Sequence, residues 1–250
     1  MTAKSTSDDN FNWVKDASIR KTVMAEYQRM RSAMRSEAVE LVRSKILDGY
    51  DLVRAARTIG IDVVDDEKTG KPCMVFDDEE QMEVLLDFAV MFDAENGGPL
   101  RHELAKRYAQ SDDENLRLMA SYFAHYTYAW LRPLRSKANF GIHCEDILTG
   151  REVFLVERGL SRTLARIDGR GLFTGLHPFA DPRLGCVMTG GAGLPVSLKG
   201  IETALEELLA ALKIKKRPPL CLDEKEMSRF VAASIDQAFR IGASKFTIYE

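Results

Sequence analysis

Val23, Tyr27, Met30, Met34 and Leu41 recur at helical spacing, with one polar interruption at Glu37. Apolar side chains three or four residues apart line one face of a helix, so this series predicts an amphipathic helix. No glycine or proline breaks residues 12–47. At ~1.5 Å per residue that run would reach about 50 Å if it stayed straight. Met82, Leu85, Leu86, Ala89, Val90 and Phe92 define a second apolar face. The Asp77 and Glu80 pair ahead of it has the spacing of a capping box. Leu100–Gln110 predicts a short helix after the Asn96–Pro99 loop. Residues 112 to about 131 predict a longer helix carrying Tyr122, Phe123, Tyr126, Tyr128 and Trp130. Aromatics at this density belong to a core or a domain seam, with His125 held among them.

Helical patterning stops near residue 136. Phe140–Asp146 and Arg151–Glu157 read as two strands joined by Ile147–Gly150, where Gly150 suits a turn and Asp146 can bond its backbone. Further extended pieces are predicted around Leu164–Ile167 and Gly171–His177, and Gly185–Gly193 closes the module. Helical spacing returns with Ile201, Leu205, Leu208, Leu209 and Leu212, and Pro218–Pro219 ends that run. Asp223 and Glu226 then cap a last helix reaching about Ile241. The fold class expected is α+β: a helical N-terminal region, a small SH3-like barrel or curled antiparallel sheet in the middle, and C-terminal helices. The divisions are a flexible tail (1–11), a helical region (12–135), a β module (136–197) and a C-terminal helical pair with its tail (198–250).

Charge narrows the partners. A formal net charge of -3 gives no global attraction to nucleic acid or to acidic membranes, so any such role needs a local patch. No apolar run approaches the roughly 18 residues a membrane span requires, and the polar start lacks a signal-peptide core. Cys73, Cys144, Cys186 and Cys221 are widely separated, which suits reduced thiols in a cytoplasmic protein. A local basic patch does exist. Arg29, Arg31, Arg35 and Arg43 on the first helix, with Arg20, Lys21 and Lys45, form either a phosphate-contacting face or a solvated one. Residues 62–95 supply a third reading, an acidic block that could complement the arginines within the chain. Residues 12–47 also offer a homodimer seam, although packing of the helix on its own domain is favoured over a coiled coil.

Asp51–Ile61 has the small alanines and turn glycine of the first half of a helix-turn-helix. Asp62–Gly70 then supplies acids where a recognition helix needs bases or amides. His143, Cys144, His177 and Cys186 are the candidate soft metal ligands of the β module. They show no CxxC or HxxxH pair, and neighbours on a strand face opposite sides, so neither a metal nor a cofactor is expected. Thr189–Leu194 lacks the spacing of a P-loop or dinucleotide fingerprint.

Glu145–Val153, Glu157–Ser161 and Gly175–Pro178, together with Leu86–Met91 and the segment ending at Trp130, resemble a β module and its preceding helices in uncharacterised bacterial proteins. Some of those proteins carry a zinc-binding SEC-C motif. Its Cys and His run is absent here, so the resemblance implies no zinc site, and that family lends no activity. The function expected is a noncatalytic binding or interaction module whose β module docks a protein. His143, Asp146 and His177 mark its face, and Arg29, Arg31, Arg35 and Arg43 mark the helix. The alternatives are a nucleic-acid-associated regulatory protein using the basic helix, and an enzyme of unrecognised type in which His143, Asp146, Glu157 and His177 share proton transfer.

Overall fold

A computed structural model describes residues 11–44, 46–96, 98–164, 171–176, 179–181, 184–189, 194–197 and 201–241. The expected tail lies outside these residues except for Phe11, as do His177 and the Gly190–Gly193 run.

The first apolar stripe becomes α1 (Ala17–Arg43). Asp16 caps it, accepting from the Ser18 and Ile19 amides at 2.8 and 3.3 Å. α2 (Leu52–Thr58) ends at Gly60, whose φ of +83° favours glycine; a Cβ there would also meet Asp236 Oδ1 at 2.3 Å. The chain does not continue into a recognition helix. It forms a hairpin, β1 (Asp62–Asp65) antiparallel to β2 (Pro72–Val75), turned by Asp66, which accepts from the Lys68 and Thr69 amides. α3 (Glu79–Met91) starts one residue later than the Asp77 and Glu80 spacing predicts. Asp78 accepts from Gln81 N at 3.0 Å, and Gln81 Oε1 accepts from Asp77 N at 2.8 Å. α4 (Arg101–Tyr108) and α5 (Glu114–Phe123) follow.

The aromatic run expected to be helical through about 131 divides instead. α5 stops at Phe123, and Tyr128 opens β3 (Tyr128–Lys137), eight residues before the expected start of the β module. Strand alternation sends Tyr128 and Trp130 to one face and Ala129 and Leu131 to the other, and all four are buried. β4 (Gly141–Asp146) and β5 (Arg151–Val156) are the expected hairpin, with Gly150 at φ +69°. A short helix, α6 (Arg158–Leu164), occupies the start of the piece predicted as extended; residues 165–167 lie outside the described residues. β6 (Gly171–Leu176), β7 (Phe179–Asp181), β8 (Cys186–Met188) and β9 (Leu194–Ser197) complete a seven-stranded sheet ordered β7-β8-β5-β4-β3-β6-β9. β5 and β8 run parallel and the other neighbours antiparallel. Among the described residues the terminal strands β7 and β9 do not pair, so the sheet is open and no barrel closes. α7 (Ile201–Ala211) and α8 (Glu224–Ile241) end the described chain, the latter capped reciprocally by Asp223 and Glu226 as predicted.

The sheet separates two apolar cores. Trp130, Phe154, Val156, Cys186 and Met188 join the large core shared with the helices. Ala129, Leu131, Ile142, Cys144, Leu155 and Val187 form a smaller one on the opposite face, where Leu160 of α6 packs. Strands buried on both faces need apolar side chains at nearly every position, as β3 shows over its first four residues. Gly141 is fixed by close approach, since a Cβ there would lie 2.3 Å from Leu155 O and 2.5 Å from the Phe154 ring. α1 packs on α5. It is also tied to the sheet through Glu157 at the end of β5, which accepts from the Tyr27 hydroxyl at 2.9 Å and from Thr189 Oγ1 at 2.8 Å.

Candidate functional site

Apolar cores pack against both faces of the sheet, one shared with the helices and one with α6. The candidate residues of the β module that are described sit as follows. Asp146 is buried in its own hairpin turn, accepting from Leu148 N at 3.1 Å and from Thr149 Oγ1 at 2.5 Å. Burial raises its carboxyl above the ordinary value, and these hydrogen bonds oppose the shift. His143 projects to the face of Phe154. Its Nε2 lies 3.0 Å from Glu152 Oε2, and the Phe11 ring meets it edge-on at 4.7 Å. A histidine beside a carboxylate can hold or pass a proton. No hydroxyl or thiol among the described residues hydrogen-bonds to this histidine, so no nucleophile accompanies the pair. Cys144 and Cys186 point to opposite faces of the sheet, and His143 and Cys144 do likewise. Among the described residues no three His, Cys, Asp or Glu side chains gather to hold a metal.

A second polar constellation lies inside the helical body, where the sequence showed only an interruption of the stripe. Glu37 of α1 is buried, and its Oε1 has no hydrogen-bond partner among the described residues. Burial, followed by the nearby Asp87 of α3, pushes its carboxyl up to about 8. Asp87 is itself pushed up to about 7 by burial, against the hydrogen bond of 3.0 Å donated by Tyr126. The Tyr108 hydroxyl of α4 is likewise buried without a partner among the described residues, and burial and the field of Glu37 raise it. Two carboxyls that share one apolar surrounding cannot both ionise cheaply, so Glu37 stays protonated at neutral pH. Tyr126 also lines a cavity of ≈ 270 Å³ with Phe92, Tyr128 and Met227. Arg101 and Glu224 also line it, and Arg101 Nη2 lies 2.7 Å from Glu224 Oε1, which His102 Nε2 reaches at the same distance.

The basic helix is different. Arg29, Arg31, Arg35 and Arg43 are all exposed, on the side of α1 turned away from its buried stripe. Arg29 reaches Glu26 at 3.0 Å. Arg31, Arg35 and Arg43 make no ion pair with any described residue. Val39 and Val42 stand among them at 66% and 78% exposure. With ~100° between successive helical residues, Arg31, Val42, Arg35, Val39 and Arg43 fall in that order within an arc of about 120°. The strip therefore combines two bare apolar side chains with three cations that no described residue pairs. The arginines are legible in the sequence; the valines escape notice there because Leu41, between them, belongs to the buried stripe.

These features define an α+β protein in which a two-sided sheet carries a helical body, and α1 presents an arginine and valine strip to solvent. The chain matches a family of unknown function (DUF7986) over residues 22–182, and it belongs to that family. The matched stretch runs from α1 to just past β7 and includes the segments from Leu86 to Pro178 on which the resemblance rests. No curated protein and no solved structure matches the chain significantly. Among the described residues no helix is long and apolar enough to cross a membrane.

Proposed function

We propose that this protein is a noncatalytic binding module whose docking surface is the outer face of α1. Its partner is a protein presenting acidic groups around an apolar centre. The observation that carries this reading is the exposure of Val39 and Val42 between cations that lack partners among the described residues. Exposed apolar groups rimmed by charge favour a protein partner, since desolvating valine adds affinity only against another apolar surface. A phosphate backbone would use the arginines and gain nothing from the valines. The exposed thiols of Cys73 and Cys221 suit a reducing, cytoplasmic setting.

A photo-crosslinking residue placed at position 39 or 42 tests the assignment in cell extract. Protein adducts are expected, and they should disappear when Arg31, Arg35 and Arg43 are all changed to Glu. Adducts that survive this reversal would remove the surface from consideration. Nucleic-acid adducts that weaken steeply between low and moderate salt would transfer it to phosphate binding.

A further inference from the structure

Opposite charge blocks on one chain invite the reading that they satisfy each other within it. Here they do not. No ion pair among the described residues joins α1 to residues 62–95; its pairs are Arg29 with Glu26 and Glu40 with Arg107 of α4. The acidic block is as bare as the basic one. Asp62, Asp65, Glu67, Glu79 and Glu83 are exposed and make no ion pair with a described residue. Between residues 62 and 83 the only cations are Lys68 and Lys71, at the tip of the hairpin.

Apolar exposure follows the same division. The large apolar side chains left exposed among the described residues are Val39, Val42, Val64, Val75, Met82 and Leu134. All but Leu134 lie in the two charge blocks. The hairpin register explains two of the second group: Asp62 opposes Val75 and Val64 opposes Cys73, so these four share the outer face of the two-stranded sheet, while Met82 follows on the first turn of α3. Val64 is 51% exposed, and Val75 and Met82 are each 46% exposed. The molecule thus carries one apolar patch rimmed by arginines and another rimmed by carboxylates, and the described residues cover neither.

We infer that the partner of the α1 strip is a second copy of this chain, which presents the outer face of the β1–β2 hairpin and the start of α3. This rests on the docking reading of α1 above and names its occupant. Charge complementarity supplies the match: Arg31, Arg35 and Arg43 meet Asp62, Glu79 and Glu83 while the valines meet Val64, Val75 and Met82. The contact joins two different patches, so each copy uses one or both of them, and either a closed assembly or an open chain of copies results. Each patch holds only two or three apolar side chains, so the association is weak and sensitive to salt.

Sedimentation equilibrium of the full chain, from about 10 to about 500 µM at low salt, reads the association directly. Wild type is expected to rise in mass over this range. The Arg31→Glu/Arg35→Glu variant and the Asp62→Lys/Glu79→Lys variant should each weaken association at least tenfold. An equimolar mixture of the two should recover it, because the two reversed patches are complementary to each other and so are the two unaltered ones. A wild type that stays monomeric throughout overturns self-association while leaving the α1 strip open to another protein. Loss on reversing α1 but not the hairpin moves the second patch elsewhere and overturns this inference alone. Association unmoved by either reversal overturns both the inference and the docking reading.

Discussion

Glu37 and Val39 stand two residues apart on α1, and each occupies the surroundings expected of the other. The carboxyl is enclosed with Asp87 and Tyr108 behind it, and the valine is bare to solvent. Their neighbours conform to the usual rule: Met30 and Ala33 are fully buried on the inner face, and Arg31 and Arg35 are exposed on the outer one. Angular position on the helix decides burial, and residue type follows it except at Glu37 and at the exposed valines, Val39 and Val42. Both exceptions cost stability, since a buried carboxyl is held out of water and an exposed valine gains nothing from the core. The inner exception builds a group that titrates near neutrality; the outer one leaves a patch that a partner can cover.

The sharpest break of this contrast comes from the inner face. Met30→Ala should destabilise the protein by about 2–5 kcal/mol in urea unfolding, because it removes a fully buried side chain and leaves a cavity. The same truncation outside, Val39→Ala, should move stability by no more than about 0.5 kcal/mol. Comparable losses at the two positions would mean that Val39 is covered in solution.

Glu37→Gln tests the inner exception through pH. The folded carboxyl titrates at about 8, against an ordinary 4.5 in the unfolded chain. The folded state therefore holds the extra proton between those values. Its stabilising contribution is complete below about pH 4.5 and is lost as pH rises through 8. Wild type should lose stability across that window, and Asp87 adds to the loss up to about 7. The Gln variant should match wild type at about pH 4 and exceed it by about 2–4 kcal/mol at about pH 8, because each tenfold difference in proton affinity between the folded and unfolded states is worth ~1.36 kcal/mol. Parallel pH profiles would show that Glu37 ionises freely.

Smaller effects refine the picture. Tyr126→Phe removes the hydrogen bond that favours the ionised form of Asp87. That change should raise the Asp87 midpoint, read from its carboxyl carbon resonance, and cost about 1 kcal/mol. A midpoint that falls would place the dominant partner of Asp87 elsewhere.

Much of this arrangement is legible in the order of residues. The stripe of α1, the β4–β5 hairpin and the Asp223 cap all express local chemistry, and each appears within a residue or two of its predicted place. β3 reads wrongly as helix because Tyr128, Ala129, Trp130 and Leu131 are buried on alternating faces that are both apolar. A run without polar positions carries no period of two, so helix fits it equally well. β1 is hidden by its own acids, Asp62 and Asp65, which leave a short exposed run with no alternation toward a core; β2 falls within residues 71–76, which read as a short strand or extended entry. Glu37 is visible only as a gap in a stripe. Its nearness to Asp87 of α3 is a long-range fact that no local spacing holds. His143 and Glu152 meet through strand register, which follows once the hairpin turn is placed correctly.

One carboxylate gives the outer face of α1 a reach beyond its own surface. Glu157 receives Tyr27 from the long helix and Thr189 from the residue after β8, and it also accepts from Gly159 N at the entry to α6. Helix, strand end and sheet margin are riveted at that single point. A neighbour bound to the helix would therefore sit on an element hydrogen-bonded directly to the residue that ends β5, and through it to Thr189.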